Sequence, residues 1–209
     1  MRAPDPGSRE PLSMTRPLLL AAAITLALAA CSKEESAPVT DTPTAAQPAD
    51  TGNALLAAST LPFQAPPFDK LKDADYQPAI EEGMKQHLAE IRQIADSAEP
   101  ATFQNTIEAM ERSGALLTRA TSVFFALAGA NTNATLQAAE EALAPKLAEH
   151  SDAIHLDPAL FARVKAIYDQ RDTLGLTPEQ KTVVEHYQRN FERAGALLSE
   201  ADKAELRTL

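Results

Sequence analysis

The sequence has few of the residues that build disulfide-bonded or β-rich proteins. It contains no tryptophan, seven glycines and one cysteine among 209 residues. The single cysteine, Cys31, excludes an internal disulfide framework and any zinc site made of cysteines. Scarce glycine, together with abundant alanine, leucine, glutamate, glutamine and lysine, favours helices over a long β-sheet.

Basic charge is also scarce. The chain carries 19 lysines and arginines against 29 aspartates and glutamates, which gives a formal net charge of −10. Because an acidic surface repels phosphate backbones, a nucleic acid is not expected among the partners.

The apolar run near the amino terminus is too short to span a bilayer. Residues 17–30, PLLLAAAITLALAA, follow Arg16 and carry no charge. A spanning helix needs about 20 apolar residues, so residues 1–30 are predicted to be a signal peptide. Met14 is a candidate for the true start, because Met14-Thr15-Arg16 forms a compact basic segment directly before the run.

Leu28, Ala29 and Ala30 directly precede Cys31. This tetrapeptide resembles the bacterial lipobox, which implies cleavage before Cys31 and acylation of that cysteine. The alternative is an ordinary signal peptide that happens to end near a cysteine. Several acyl chains on one residue make a stable bilayer anchor. Ser32 stands where aspartate would favour retention in the inner membrane, so we expect export to the outer membrane, facing the periplasm.

Residues 31–60 are rich in serine, threonine, alanine and proline. A segment of this composition buries too little apolar surface to offset its chain entropy. It is therefore predicted to be a disordered tether between Cys31 and a folded region over residues 61–209.

The folded region shows apolar residues at three- and four-residue spacing, which predicts an all-α protein built as an antiparallel helical bundle. Asp75 is the predicted N-cap of a first helix that reaches Ala95, with Pro78 in its first turn. A second helix starts at Phe103. A third, more fully buried helix contains Val123 to Leu127 and is separated from the second by Gly114.

The later helices have clear start signals. Asn133 or Thr135 is expected to cap a fourth helix through Leu147, with Pro145 kinking or breaking it unless the proline begins a new turn. Further starts are predicted at Asp157-Pro158, at the capping box Thr177-Pro178-Glu179-Gln180 and at Ser199, with Gly175 closing the helix that begins at Pro158. No stop signal follows the last start, which leads us to expect that the sequence is the front part of a longer protein.

The histidines do not form a recognisable metal motif. His87 and Glu90, at i and i+3 on one helix, provide two ligands where zinc needs three or four, so a polar helix face is the favoured interpretation. His150 and His155 are expected near a helix end, where a cationic imidazole is favourable. Glu185-His186 lacks the histidine that an inverted zinc motif requires, because Thr182 stands at that position.

Other catalytic motifs are also missing from the sequence. It contains no HExxH, GxSxG, GxGxxG or P-loop pattern, and the one cysteine is assigned to lipid. We therefore predict no catalytic residue and no metal ligand within these 209 residues.

Four stretches together resemble the amino-terminal region of bacterial peptidyl-dipeptidases, the dipeptidyl carboxypeptidases of the thimet oligopeptidase family. They are LPFQAPPFDKL (61–71), DYQPAIEEGMKQHLAEI (75–91), FQNTIEAMERSGALLTRATSVFFAL (103–127) and AGALLSEADKAEL (194–206). The resemblance covers residues 61–209 and leaves out the predicted signal peptide and tether.

The resemblance implies a mostly helical zinc peptidase that releases carboxy-terminal dipeptides from short peptides. In such enzymes the zinc ligands, an HExxH pair and a later glutamate, come from a segment with no counterpart in this sequence. The chain is thus expected to be an inactive amino-terminal part of such an enzyme. The alternative is a non-catalytic helical lipoprotein of the periplasm that acts as a binding or scaffold module.

Overall fold

The computed structural model describes residues 52–208, and within that range all regular secondary structure is helical. A 3-10 turn, Pro62–Gln64, comes first, and a π-helical segment, Phe103–Glu108, leads directly into the second α-helix. The α-helices are α1 (Asp73–Ala95), α2 (Ala109–Arg112), α3 (Ala115–Ala130), α4 (Ala134–His155), α5 (Pro158–Gln170), α6 (Pro178–Ala194) and α7 (Glu200–Leu206). The predicted all-α class is confirmed. The predicted signal peptide and its acylated Cys31 lie outside the described residues.

The packed region begins earlier than Leu61. Leu55 is only 1% exposed and belongs to an apolar cluster with residues of α1, α3 and α4. Its turn is tied down on both sides: the Asn53 side chain donates to the Asp75 carbonyl over 2.7 Å, and Arg119 Nε donates to the Leu55 carbonyl over 3.1 Å. The predicted tether therefore ends too late, because the average composition of residues 31–60 conceals one deeply buried leucine.

The predicted caps of the later helices are confirmed. Asn133 accepts from the backbone of Thr135 and Leu136, which decides between the two candidate caps of α4. Asp157 accepts from Leu160 N, and Ser199 accepts from Asp202 N. At α6 the capping box is complete, since Thr177 and Gln180 each accept a backbone N–H from the other.

The start of α1 differs from the prediction. The helix begins at Asp73, so Asp75 is its third residue and accepts the backbone N–H of Lys72 over 2.8 Å. Pro78 consequently lies in the second turn and not in the first. A side chain that reaches back from the third position also satisfies a free N–H, and spacing alone does not distinguish this role from that of an N-cap.

Two predicted helix ends are also wrong. α4 continues through Pro145 to His155, although proline removes one backbone hydrogen bond. Buried Leu143 and His150 hold the helix on either side of the proline. α5 ends at Gln170, and Gly175, with a φ of 66°, lies in the turn that follows. The prediction for α4 failed because tertiary packing holds the helix through Pro145. The prediction for α5 failed because a turn separates the end of the helix from Gly175.

Two apolar clusters fill the interior, and α1 contributes to both. The α3–α4 cluster contains the first half of α1 with Leu55, and the α5–α6 cluster contains the second half of α1 with the π-helical segment. The buried members of the first are Leu55, Tyr76, Ala79, Ile80, Met84, Ala120, Val123, Phe124, Leu136, Ala139 and Leu143. The main members of the second are Ile91, Ile94, Phe103, Ile107, Leu160, Phe161, Val164, Ile167, Val184 and Phe191.

Helix α3 is buried on one side only. Val123 and Phe124 are buried, whereas Phe125 is 43% exposed. The prediction that this helix is more fully buried than the preceding ones is therefore wrong. By length and composition alone, Phe103–Ala130 could cross a membrane. The helical conformation of this segment is interrupted at Gly114, where φ is 69°. The buried side of α3 crosses α1 closely, since a Cβ on Gly83 would lie 2.8 Å from Leu117 Cα.

Candidate functional site

A histidine pair, with His150 buried and His87 half-buried, joins α1 to α4 at the level where the two apolar clusters meet. His87 Nδ1 lies 3.0 Å from His150 Nε2, and the two ring centroids are 5.0 Å apart. His87 stands between Met84 of the α3–α4 cluster and Ile91 of the α5–α6 cluster. We call His87, His150, Ser113, Gly114 and Glu90 the polar seam.

The remaining members of the seam come from the turn between α2 and α3. His87 Nε2 lies 3.1 Å from Ser113 Oγ, and Ser113 Oγ donates to the Met110 carbonyl over 2.6 Å. Glu90 Oε2 accepts the backbone N–H of Gly114 over 2.7 Å. The positive φ of Gly114 brings this N–H to the carboxylate, so a single turn is attached to two residues of α1.

The contacts fix the tautomer of each ring. A carbonyl only accepts, so the Ser113 proton points to Met110, and Ser113 Oγ must accept from His87 Nε2–H. His87 Nδ1 is then an acceptor, and His150 Nε2–H donates to it. His150 Nδ1 is left as a bare acceptor and has no hydrogen-bond partner within residues 52–208.

Both imidazoles are held neutral by their surroundings. Burial lowers the pKa of His87, and the nearby charge of Glu90 opposes this effect. Burial, as the largest cause, and the nearby His87 and His155 together lower the pKa of His150 to about 4. A proton on His150 would therefore place a charge where no hydrogen-bond acceptor awaits it.

The seam does not fit a zinc ion. Structural and catalytic zinc sites use three or four protein ligands, whereas residues 52–208 contain no group of three or more histidine, cysteine, aspartate or glutamate side chains able to hold a metal. Three of the four ring nitrogens of the histidine pair are also occupied, by each other and by Ser113.

A second buried polar network surrounds Arg163 of α5. Its guanidinium donates to the carbonyls of Ser97 and Glu99 and to the side chains of Asn105 and Thr106, at distances of 2.9–3.3 Å. All these acceptors are neutral. The network ties α5 to the loop after α1 and to the start of the π-helical segment.

The other histidines and the Glu185 pair occupy the surface. His155 Nδ1 donates to the Ser151 carbonyl at the end of α4, and His186 lies 2.9 Å from the Asn190 amide. Glu185 pairs with Arg171. Tyr187 donates to Glu111 over 2.7 Å, and burial followed by this contact raises the pKa of the tyrosine. None of these groups joins the seam.

The sequence interpretation of His87 and Glu90 as a polar helix face is incomplete, because Glu90 is exposed but half-buried His87 has a partner on α4. Spacing contained a signal for the burial of His150, although not for its partner. Leu136, Leu143 and His150 recur at seven-residue intervals and share the buried side of α4. Ser113 and Arg163 gave no comparable signal, since their roles depend on contacts between distant segments.

Relatives of the described helical region are bacterial peptidases. The chain is 24% identical over 134 residues to oligopeptidase A of Escherichia coli, a match that covers 64% of this chain and 20% of the relative. No protein-family model matches the chain.

The stronger matches are to one kind of peptidase. The chain is 48% identical over 157 residues to a dipeptidyl carboxypeptidase of Salmonella typhimurium and 48% identical over 159 residues to that of Escherichia coli. These matches cover 75% and 76% of this chain but 23% of each relative. The chain is therefore homologous to part of the dipeptidyl carboxypeptidases and spans about a quarter of their length.

Proposed function

We propose that this chain is the amino-terminal helical part of a zinc metallopeptidase that removes carboxy-terminal dipeptides from short peptides. The observation that carries the proposal is the 48% identity to two dipeptidyl carboxypeptidases over most of the packed region. Zinc and the catalytic groups belong, in this proposal, to other parts of such an enzyme. Residues 52–208 provide packing and positioning rather than chemistry.

Residues 52–208 are well packed but do not cluster metal-binding side chains, and this supports the proposal that the zinc and the catalytic groups belong to other parts of the enzyme. Caps, apolar clusters and two buried polar networks make residues 52–208 a well-packed helical unit. The same residues hold no group of three metal-binding side chains. Such a unit suits the wall of an enzyme whose catalytic centre is formed elsewhere in the molecule.

The test is made on the protein isolated from a membrane fraction with an antibody against residues 61–209. We expect a band several hundred residues longer than this chain, and release of a dipeptide from an amino-blocked tripeptide. A strong chelator should abolish the release, and zinc should restore it. Chelator-resistant release would refute the zinc mechanism. A band near 22.4 kDa without cleavage would favour a non-catalytic binding or scaffold lipoprotein.

We also propose that Cys31 anchors the protein by acyl chains to the outer membrane, on the periplasmic side. The sequence LAAC at positions 28–31 supports this proposal. Cys31→Ser should abolish incorporation of labelled palmitate and move the protein from the membrane fraction to the soluble periplasmic fraction. A variant that stays in the membrane fraction unlabelled would contradict anchoring through this residue.

A further inference from the structure

The polar seam has one property that ordinary helix packing does not require. The side chain of His150 is 8% exposed, and its Nδ1 has no hydrogen-bond partner in the part of the chain that the structure describes. Buried polar atoms are normally hydrogen-bonded, and an unpaired one costs free energy. The smallest species that binds an imidazole lone pair is a proton.

We propose that His150 Nδ1 is the proton-binding site of a pH-sensitive joint between the two apolar clusters. At neutral pH the chain of donors runs from His150 through His87 and Ser113 to the Met110 carbonyl. It connects α4, α1 and the turn before α3. Protonation acts on this connection in two steps.

The first proton adds to His150 Nδ1. Every hydrogen bond of the seam is kept, because His150 Nε2–H still donates to His87 Nδ1. The new N–H, however, has no acceptor, and its charge lies within a largely apolar interior. The second proton must add to His87 Nδ1, where its N–H would oppose the N–H of His150, so the link between α1 and α4 breaks.

The charges around the pair act differently on the two rings. Glu90 on α1 favours a charge on His87, whereas His155 on α4 disfavours a charge on His150. The turn of Ser113 and Gly114 adds no charge. On α6, which also packs on α4, Tyr187 donates its hydroxyl to Glu111 of α2 rather than to either ring. Among residues 52–208, the hydrogen-bond partners of the pair are the two rings themselves and Ser113, and none is a carboxylate.

The sign of the pH effect follows from these contacts. In the unfolded chain both histidines are exposed to water and take up protons near pH 6.5. The folded protein resists that uptake, since burial lowers the pKa of each ring. The seam thus stabilises the fold above this range and loses its contribution as the pH falls toward about 4.

The biological meaning of the joint rests on the proposed location, because a periplasmic face is exposed to the pH of the surroundings. The joint itself does not depend on the proposed peptidase activity. The two proposals can therefore fail independently. The pH-sensitive joint is tested by unfolding, and the peptidase function is tested by dipeptide release.

The test compares unfolding of the full chain by urea between pH 7 and pH 4.5. The variants are His150→Leu, His150→Gln and, as the matched control, His186→Gln on the exposed side of α6. One proton bound only by the unfolded chain raises the unfolding equilibrium constant about tenfold per pH unit. In both His150 variants we expect the unfolding equilibrium constant to rise about tenfold less per pH unit of acidification than it does in the original chain.

His186→Gln should keep more of the pH dependence than either variant of His150. The two replacements guard against a failure to fold, because leucine suits the apolar face of α4 and glutamine retains a donor for His87. Equal pH dependence in the original chain and in a folded His150 variant would overturn the proposal.

Discussion

Arg163 and His150 are equally buried, each 8% exposed, yet they represent opposite solutions to the burial of a polar side chain. Arg163 donates four hydrogen bonds to fixed neutral acceptors. His150 donates one hydrogen bond and leaves its second nitrogen unpaired. An arginine stays charged at all accessible pH values, so its network holds permanently. The hydrogen bond between the two histidines is lost once both rings are protonated, and the first proton already places an unpaired charge on His150.

This difference assigns a different role to each network. The Arg163 network stabilises the loop after α1 and the start of the π-helical segment, whatever the pH. The polar seam stabilises the junction of α1, α4 and the turn before α3 most strongly when His87 and His150 are both neutral. Networks with every group satisfied rigidify a fold, whereas a partly satisfied one is sensitive to change.

The largest effect is expected for Arg163→Ala. The substitution leaves the carbonyls of Ser97 and Glu99 and the Asn105 side chain without their buried donor. We expect the free energy of unfolding to fall by about 3 kcal/mol, because hydrogen bonds to a charged group are strong and their loss leaves unpaired acceptors. Urea unfolding followed by circular dichroism measures this change.

The control is Arg189→Ala, at an exposed position of α6. Its free energy of unfolding should change by no more than about 0.5 kcal/mol. Equal effects of the two substitutions would show that burial of Arg163 and its hydrogen bonds contribute little.

Gly83→Ala should move the α1–α3 contact that positions the seam. Its Cβ would lie 2.8 Å from Leu117 Cα and 2.9 Å from Leu117 N, so the two backbones must separate. We expect a loss of about 2 kcal/mol. His87 follows Gly83 by one helical turn, and the shift should also weaken its contact with Ser113. Thermal unfolding measures the stability change.

Gly129→Ala is the matched control for this substitution. Its Cβ would have no neighbour within 4 Å, and it lies inside α3. Alanine should keep or raise stability there, by up to about 1 kcal/mol. A Gly83→Ala protein as stable as the Gly129→Ala protein would contradict the close crossing of α1 and α3.

Acidification separates the two networks without any substitution at the seam. The pKa of His150 is lowered to about 4 in the folded protein, so the unfolded chain binds more protons below its ordinary value. The seam's contribution, about 2 kcal/mol, is present above pH 6.5 and is lost as the pH falls toward 4. Because an arginine side chain stays charged at every accessible pH, Arg163→Ala should be less stable at every pH but show a parallel pH profile. A pH profile that Arg163→Ala flattens would mean that the two networks are not independent.

The smallest effect is expected for Ser113→Ala. His87 Nε2–H loses its acceptor, but Ser113 is only half-buried and water can replace part of the contact. We expect a loss of about 1 kcal/mol in the free energy of unfolding. Ser122→Ala, at an exposed position of α3, should cost less in the same urea experiment. A larger loss of unfolding free energy for Ser122→Ala than for Ser113→Ala would contradict a stabilising contact between Ser113 and His87.

Local signals in the sequence predicted much of the fold. Asn133, Asp157, Thr177 and Ser199 cap helices as expected, because each bonds to backbone groups only two or three residues away. The helix through Pro145 was not predictable in this way, since packing on both sides of the proline outweighs its local cost.

The polar seam depended on contacts that spacing alone does not supply. His87 and His150 are separated by 63 positions, and Arg163 lies 64 positions from Glu99. The seven-residue spacing of Leu143 and His150 indicates a buried face but not its partner. The contact between His87 and His150 can be recognised only after α1 and α4 are placed side by side.

The most direct measurement is nitrogen NMR of the full chain labelled in its histidine rings. At pH 7 we predict that His87 and His150 are both neutral and protonated on Nε2, with His150 Nδ1 taking up a proton only well below pH 6. A His87 ring protonated on Nδ1, or a charged His150 at pH 7, would contradict the donor chain and with it the pH-sensitive joint.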